Sequence, residues 1–276
     1  MRTDHVVKTK DIRKVEQSFS IGTLITVLVA VNILVLFALW PLPWVQKFFL
    51  IASPFCPQRP AHSIFIGGRQ MPIEARMFGM FGGALLTLIY FAARRRLSAA
   101  AVPRGWRLVL CIVLFGVMAF DGTQALLYDM GISRLYAPNL VLRLSTGLAS
   151  GVGLAMVLVP LINLSLWQQP RTKDHLFKDW RDVAGLGVAQ VLLFVITLAD
   201  WSPALLPLSI FNSIAIVVIL TVLMSLLVVA IAGRAVRFTQ IRQVVGFVAS
   251  GFIVAAVFIT ALAVARLMIF GSGPLG

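Results

Sequence analysis

Eight polar residues stand inside or at the rims of runs that are otherwise apolar: Glu74, Arg76, Asp121, Gln124, Arg143, Thr146, Asp200 and Arg266. Their types could do chemistry together. Glu74 and Asp121 are carboxylates that can act as general acid or base. Arg76 and Arg143 are guanidiniums suited to an anionic group. Asp121, Gln124 and Tyr128 are spaced by three and seven residues, which sets a carboxylate, an amide and a phenol on one helical face. Arg143, Thr146 and Ser150 repeat that spacing beside Gly147. Two such faces on consecutive helices can meet, and an Asp121–Arg143 ion pair is the preferred contact, because either ion alone would be costly in an apolar medium. The segment before Arg76 adds Arg59, His62, Arg69 and Gln70, which line the approach. The ligand-binding candidates are therefore Arg76, Gln124, Arg143, Thr146, Arg59, His62 and Gln70, and the catalytic candidates are Glu74 and Asp121. Cys56 is a lone thiol in the same segment, and it is the weak candidate for a metal ligand. His62 and Glu74 could join it, but no two of the three have the close spacing of a ligand pair, so no metal or other cofactor is predicted.

These residues need elements to position them, and composition says which kind. The 276-residue chain is 59% hydrophobic and 12% charged, with mean hydropathy +0.95, leaving too little polar surface for a water-soluble domain. A membrane crossing needs about 20 mostly apolar residues. Seven segments qualify, at 20–42, 74–93, 107–127, 139–166, 183–201, 208–232 and 244–270. No strand-like alternation is visible, and backbone amides in lipid must bond within their own segment, so the expected fold is an all-α transmembrane bundle. Residues 1–19 form a basic N-terminal segment, 20–270 the seven-helix domain and 271–276 a short tail. Residues 5–19 suit either a short amphipathic surface helix or plain orientation of the chain. The first span is too long for a signal peptide and runs into "WPLPW" with no small-residue cleavage site, so it reads as an anchor. Gly79 with Gly83, and Gly147 with Gly151, have the GxxxG spacing of close helix contacts, and Pro160 is expected to kink the fourth span.

The net charge of +14 excludes nothing on its own, but its distribution argues for topology over nucleic acid. With the N-terminus in the cytoplasm and the C-terminus outside, 17 of the 24 Lys and Arg fall in inner segments. Four fall in outer loops (Lys47, Arg59, Arg69 and Arg134) and three within spans. That asymmetry follows the positive-inside rule at every loop. Trp40, Trp44 and Trp201 fall at outer span ends, and Trp106, Trp167 and Trp180 at inner ones, as an aromatic belt requires. The protein is expected in the plasma or inner membrane, and all eight polar residues map to its outer half. His175 reads as a solvated residue of an inner loop.

The run "CPQRPAHSIFIGGRQMPIEARMFGMFGG", with "DGTQALLY" and "NLVLRLSTG" after it, resembles the domain of unknown function 2085, a family of predicted membrane proteins. The resemblance covers about residues 50–160. Cys56, Gln58, Ser63, Gly67, Gln70, Pro72, Ala75, Arg76, Gly79, Gly83, Asp121, Gly122, Gln124, Arg143, Thr146 and Gly147 carry it. The family pattern has a further His and two further Cys where this chain has Pro57, Glu74 and Met77, so any metal the family's pattern implies does not carry over. The resemblance implies no activity.

Three functional readings follow. The first is a polar pocket near the outer face that binds or processes a lipid-linked or anionic ligand. The second is a structural or accessory subunit of a larger membrane complex, whose polar groups only fix helix register. The third is a transporter or channel, disfavoured because polar residues in the inner halves, Asn32, Gln190 and Asn212, are scattered. Membrane lipids are partners in each. The soluble-enzyme motifs GxSxG, HExxH and the Walker loop are absent.

Overall fold

The computed structural model describes residues 4–132 and 135–270, the side chains of 4–20 and 270 excepted. Arg2, Arg134 and the tail 271–276 lie outside the described residues. Among the described residues, eight α-helices and one hairpin follow in the order α1 (Asp4–Leu39), α2 (Trp44–Ala52), β1 (Ser63–Ile66), β2 (Arg69–Glu74), α3 (Ala75–Ala93), α4 (Trp106–Asp129), α5 (Leu140–Leu166), α6 (Trp180–Leu198), α7 (Leu205–Ile231) and α8 (Ile241–Phe270), with 3-10 turns at Pro60–His62 and Ser202–Ala204. All but α2 are long and apolar enough to cross a membrane, which makes seven spans among the described residues. The basic segment before the first span continues into it as one helix, α1, rather than forming a separate surface helix.

The centre of the bundle is the α3–α5 crossing, the most extensive helix contact in the molecule. The two glycine pairs explain it. A Cβ on Gly79 would stand 2.6 Å from the Leu144 carbonyl oxygen, and one on Gly83 would stand 2.9 Å from that of Leu148. One on Gly151 would stand 2.6 Å from the Met80 carbonyl oxygen. Backbone therefore meets backbone, and the motifs are used within the chain. Pro160 sits inside α5, which continues to Leu166. Around this pair, α4 packs on α5, α7 on α3, α8 on α7 and α1 on α8.

Successive connections meet at opposite ends. At one end, residues 94–105, 167–179 and 232–240 pair by backbone: Ala100 N–H donates to the Arg171 carbonyl (3.2 Å), and Gln168 N–H to that of Phe238 (3.0 Å). This is the basic end. At the other, residues 40–74 meet Asp129, Asp200 and Arg266.

By sequence, Gly67–Gly68 and Pro72 turn an outer loop into the second span and Glu74 falls in its first helical turn, and both expectations need correction. The segment before α3 is not a loop leading into a helix that starts at Pro72. It is an antiparallel hairpin, with Phe65 opposite Gln70 and Ile66 opposite Arg69, turned by Gly67 (φ +59°) and Gly68 (φ +75°). Both turn residues take the left-handed conformation that a two-residue hairpin turn demands. Glu74 is consequently the last residue of β2, in extended backbone at the N-cap of α3, and not in the first helical turn. Most of both faces of the hairpin is buried, with Phe65 and Arg69 exposed near the turn, so its residues do not alternate apolar with polar. The apolar stretch before it forms α2, whose Phe48, Phe49 and Ile51 are buried.

Candidate functional site at the hairpin end

Asp121 is the focus of a closed polar network among α3, α4 and α5. Its side chain is 2% exposed and pairs with Arg76, whose Nη2 lies 2.5 Å from Oδ2. The Tyr136 hydroxyl donates to Oδ1 at 2.9 Å, and the Thr146 hydroxyl lies 3.2 Å from Oδ2. Burial first, then the bond to Asp121, pushes the Tyr136 phenol up to about 12, so it remains a donor at neutral pH. The expected Asp121–Arg143 ion pair does not form: Arg76 takes the carboxylate instead. It can reach because Gly79 and Gly147 draw α3 against α5 just below it, where a Cβ on Gly147 would overlap the Arg76 carbonyl oxygen.

Arg143 faces a different group. Its Nη2 lies 3.4 Å from His62 Nε2. A guanidinium only donates, so Nε2 accepts, and the proton of a neutral ring sits on Nδ1. That atom is buried without a hydrogen-bond partner, 3.7 Å from Glu74 Oε2. Burial, with Arg143 and Arg59 beside it, lowers the His62 pKa and keeps the ring neutral at pH 7. Glu74 Oε1 accepts from the Arg59 backbone N–H at 3.1 Å, while the Arg59 guanidinium reaches Asp129 at 3.2 Å. Arg59, His62, Glu74, Arg76, Asp121, Arg143 and Thr146 thus come together at one level, on β2, α3, α4, α5 and the loop before β1.

The remaining candidates hold the chain. Gln124 accepts from the Leu135 N–H at 3.0 Å and fastens the α4–α5 connection, and Gln70 donates to the Gln58 carbonyl and the Ser63 hydroxyl. Tyr128, expected on the Asp121 face, is 44% exposed, and Tyr136 occupies the place proposed for it. Asp200 accepts from the Gly67 N–H at 2.6 Å and pins the hairpin turn. Arg266 donates to the carbonyls of Ser53, Cys56 and Pro57 and to Gln58 Oε1, tying α8 to the loop. Tyr136 and Asp129 were missed by sequence reasoning. The available signal for Tyr136 was that a polar residue of the α4–α5 connection can fold back over the Asp121 carboxylate, and for Asp129 that it ends the helix carrying that carboxylate.

Cys56 is buried, and burial raises its thiol pKa. Among the described residues, no three His, Cys, Asp or Glu side chains converge as metal ligands. Glu74 is engaged by Arg59 and lies beside His62, and Met77 packs against the apolar core.

Residues 56–157 match the family described as "Predicted membrane protein (DUF2085)". The match covers that stretch of the chain. It runs from the loop before the hairpin to near the end of α5, and it contains the whole Arg76–Asp121–Thr146 network with its His62–Arg143 arm. An uncharacterized protein of Methanocaldococcus jannaschii is 29% identical over 113 residues, which cover 41% of this chain and 67% of that relative. No solved structure matches the chain.

Proposed function

We propose that this integral membrane protein binds a phosphate-type anion at the hairpin end, carried by a lipid headgroup or a lipid-linked ligand, with Arg143 as the principal contact. The supporting observation is that Arg143 is 7% exposed yet, among the described residues, has no carboxylate within ion-pair distance, only the His62 ring. Arg76 and Arg59 do have such partners. A desolvated guanidinium facing a neutral imidazole favours an incoming anion. In this reading Arg59 and His62 assist, and Asp121 is spent on three donors. Glu74 is then the remaining carboxylate of the site, its Oε2 3.7 Å from His62 Nδ1.

A second reading, a register-fixing network in a structural or accessory subunit, draws support from charge balance: Arg59, Arg76 and Arg143 face Glu74, Asp121 and Asp129. Native mass spectrometry of the protein from nanodiscs containing phosphatidylglycerol separates the two. The anion reading expects retained phospholipid in the wild type and in Arg237→Gln at the basic end, and its loss in Arg143→Gln at near-unchanged thermal stability. Equal lipid retention in Arg143→Gln overturns it, and collapse of that variant's fold favours the structural reading.

A further inference from the structure

We propose that the basic end carries a separate preformed site for a phosphate group, in the cavity of about 310 Å³ between the α3–α4 and α5–α6 connections. Arg94, Arg95, Arg96, Arg171 and Lys178 line it, with Asp174 as the single carboxylate of the lining. The positive-inside rule accounts for cations at this end, but scattered, solvated ones would satisfy it equally. What needs a further cause is that these are gathered around a built concavity.

The walls are braced. The Asp182 carboxylate, 1% exposed, pairs with Arg94 at 2.8 Å and with Arg96, and it also accepts from the Lys178 N–H at 2.8 Å. Two connections are thereby locked through one buried acid. On the other side, Ala100 N–H and Asp174 N–H donate to the Arg171 carbonyl, and Asn163 Nδ2 donates to the carbonyls of Leu97 (2.7 Å) and Ala99 (3.0 Å). The Trp167 indole in turn donates to Asn163 at 2.9 Å. Ordering costs that a loose basic loop would meet on binding are already met.

Asp182 neutralises part of the lining and leaves a surplus. Among the described residues, Arg95, Arg171 and Lys178 have no carboxylate within ion-pair distance, and Arg171 meets only the Ser98 hydroxyl at 3.3 Å. Arg95 also holds φ +56° one residue past the Arg94 cap of α3, where Arg96 N–H returns to the Phe91 carbonyl at 2.9 Å. That closing turn favours glycine. An arginine there carries a conformational cost that a cavity-lining charge explains. The volume sits at the small end of ligand sites, fitting one headgroup or small phosphoester. The cavity is lined by residues just after α3 and just before α6, with Arg95, Arg171 and Lys178 exposed, so either a phospholipid headgroup or a soluble phosphate compound has access.

The test uses the full chain in phosphatidylcholine nanodiscs, with thermal unfolding followed while inorganic phosphate is titrated in, and again with phosphatidylglycerol in the disc. Stabilisation by free phosphate identifies a soluble ligand, and stabilisation by the anionic lipid alone identifies a headgroup. Arg95→Gly suits the turn and should leave the unliganded Tm unchanged or higher. It should weaken the response about tenfold, as should Lys178→Gln, which removes an exposed side chain. Arg237→Gln, at the same end but outside the cavity, should respond as the wild type. A wild type indifferent to both anions overturns the site, as does a loss in Arg237→Gln equal to that in Arg95→Gly. The hairpin-end reading fails or holds independently, on Arg143→Gln.

Discussion

Asp121 accepts from a guanidinium, a phenol and a hydroxyl while nearly sealed from solvent, so its charge depends on those donors and theirs on it. Removing one partner of such a pair leaves the other buried and uncompensated. Asp121→Asn should destabilise the protein by about 3 kcal/mol and Tyr136→Phe by about 1 kcal/mol, read from reversible unfolding in mixed detergent micelles. Arg76→Gln combined with Asp121→Asn should cost clearly less than the sum of the single changes. His62 gives a pH signature. Its folded pKa lies below the ordinary value because of burial, Arg143 and Arg59, with Glu74 and Asp129 opposing. The unfolded chain then binds the proton more readily, so stability is full above about pH 6.5 and is lost as pH falls through that value toward the lowered folded pKa. Thermal unfolding between about pH 7.5 and 5 should show a shallower loss in His62→Gln. His175, also lowered by burial and by Arg107 and Arg104, keeps the remaining slope.

At the scale of elements, the α3–α5 crossing decides which side chains can meet. Gly151→Ala would drive a methyl to 2.6 Å from the Met80 carbonyl and 2.7 Å from the Ala84 amide nitrogen, with rigid backbone on both sides. A loss of about 2 kcal/mol is expected, with a weaker Arg76–Asp121 pair as the helices part. Gly116→Ala is the control: no heavy atom lies within 4 Å of its Cβ, so stability should hold or rise slightly. The same unfolding assay reads both. The motif spacing was legible, but the choice of partner was not. GxxxG marks a helix that can be approached closely, and only packing says which helix approaches. The exchange of Arg143 for Arg76 at Asp121 has the same origin. Helical periodicity puts Arg143 and Thr146 on one face of α5, but it carries no information about which side chain of α3 reaches the same carboxylate.

For the whole molecule, the alternation of connections between two ends follows from the run lengths and agrees with the placement of tryptophans and cations. Orientation in the membrane is expected to put the hairpin end outside. Single-cysteine labelling tests this in intact cells. Cys56 and Cys111 are buried and should label poorly, so a cysteine at exposed Arg69 should react with an impermeant maleimide, and one at exposed Lys173 should react only after permeabilisation. The reverse pattern would place the hairpin end in the cytoplasm.

Composition and apolar run length dictated a seven-span helical bundle, because lipid leaves the backbone few alternatives. The cost of charge in that medium singles out Glu74, Arg76, Asp121 and Arg143 from sequence alone. Tertiary structure decided the pairing: Asp121 with Arg76 and Tyr136, Arg143 with His62, Asp182 with two arginines. It also decided the hairpin that carries His62 and Glu74 to their places. Spacing along one helix reports a face, whereas the partner across a gap depends on how closely two backbones can approach and on what a neighbouring loop brings over the top.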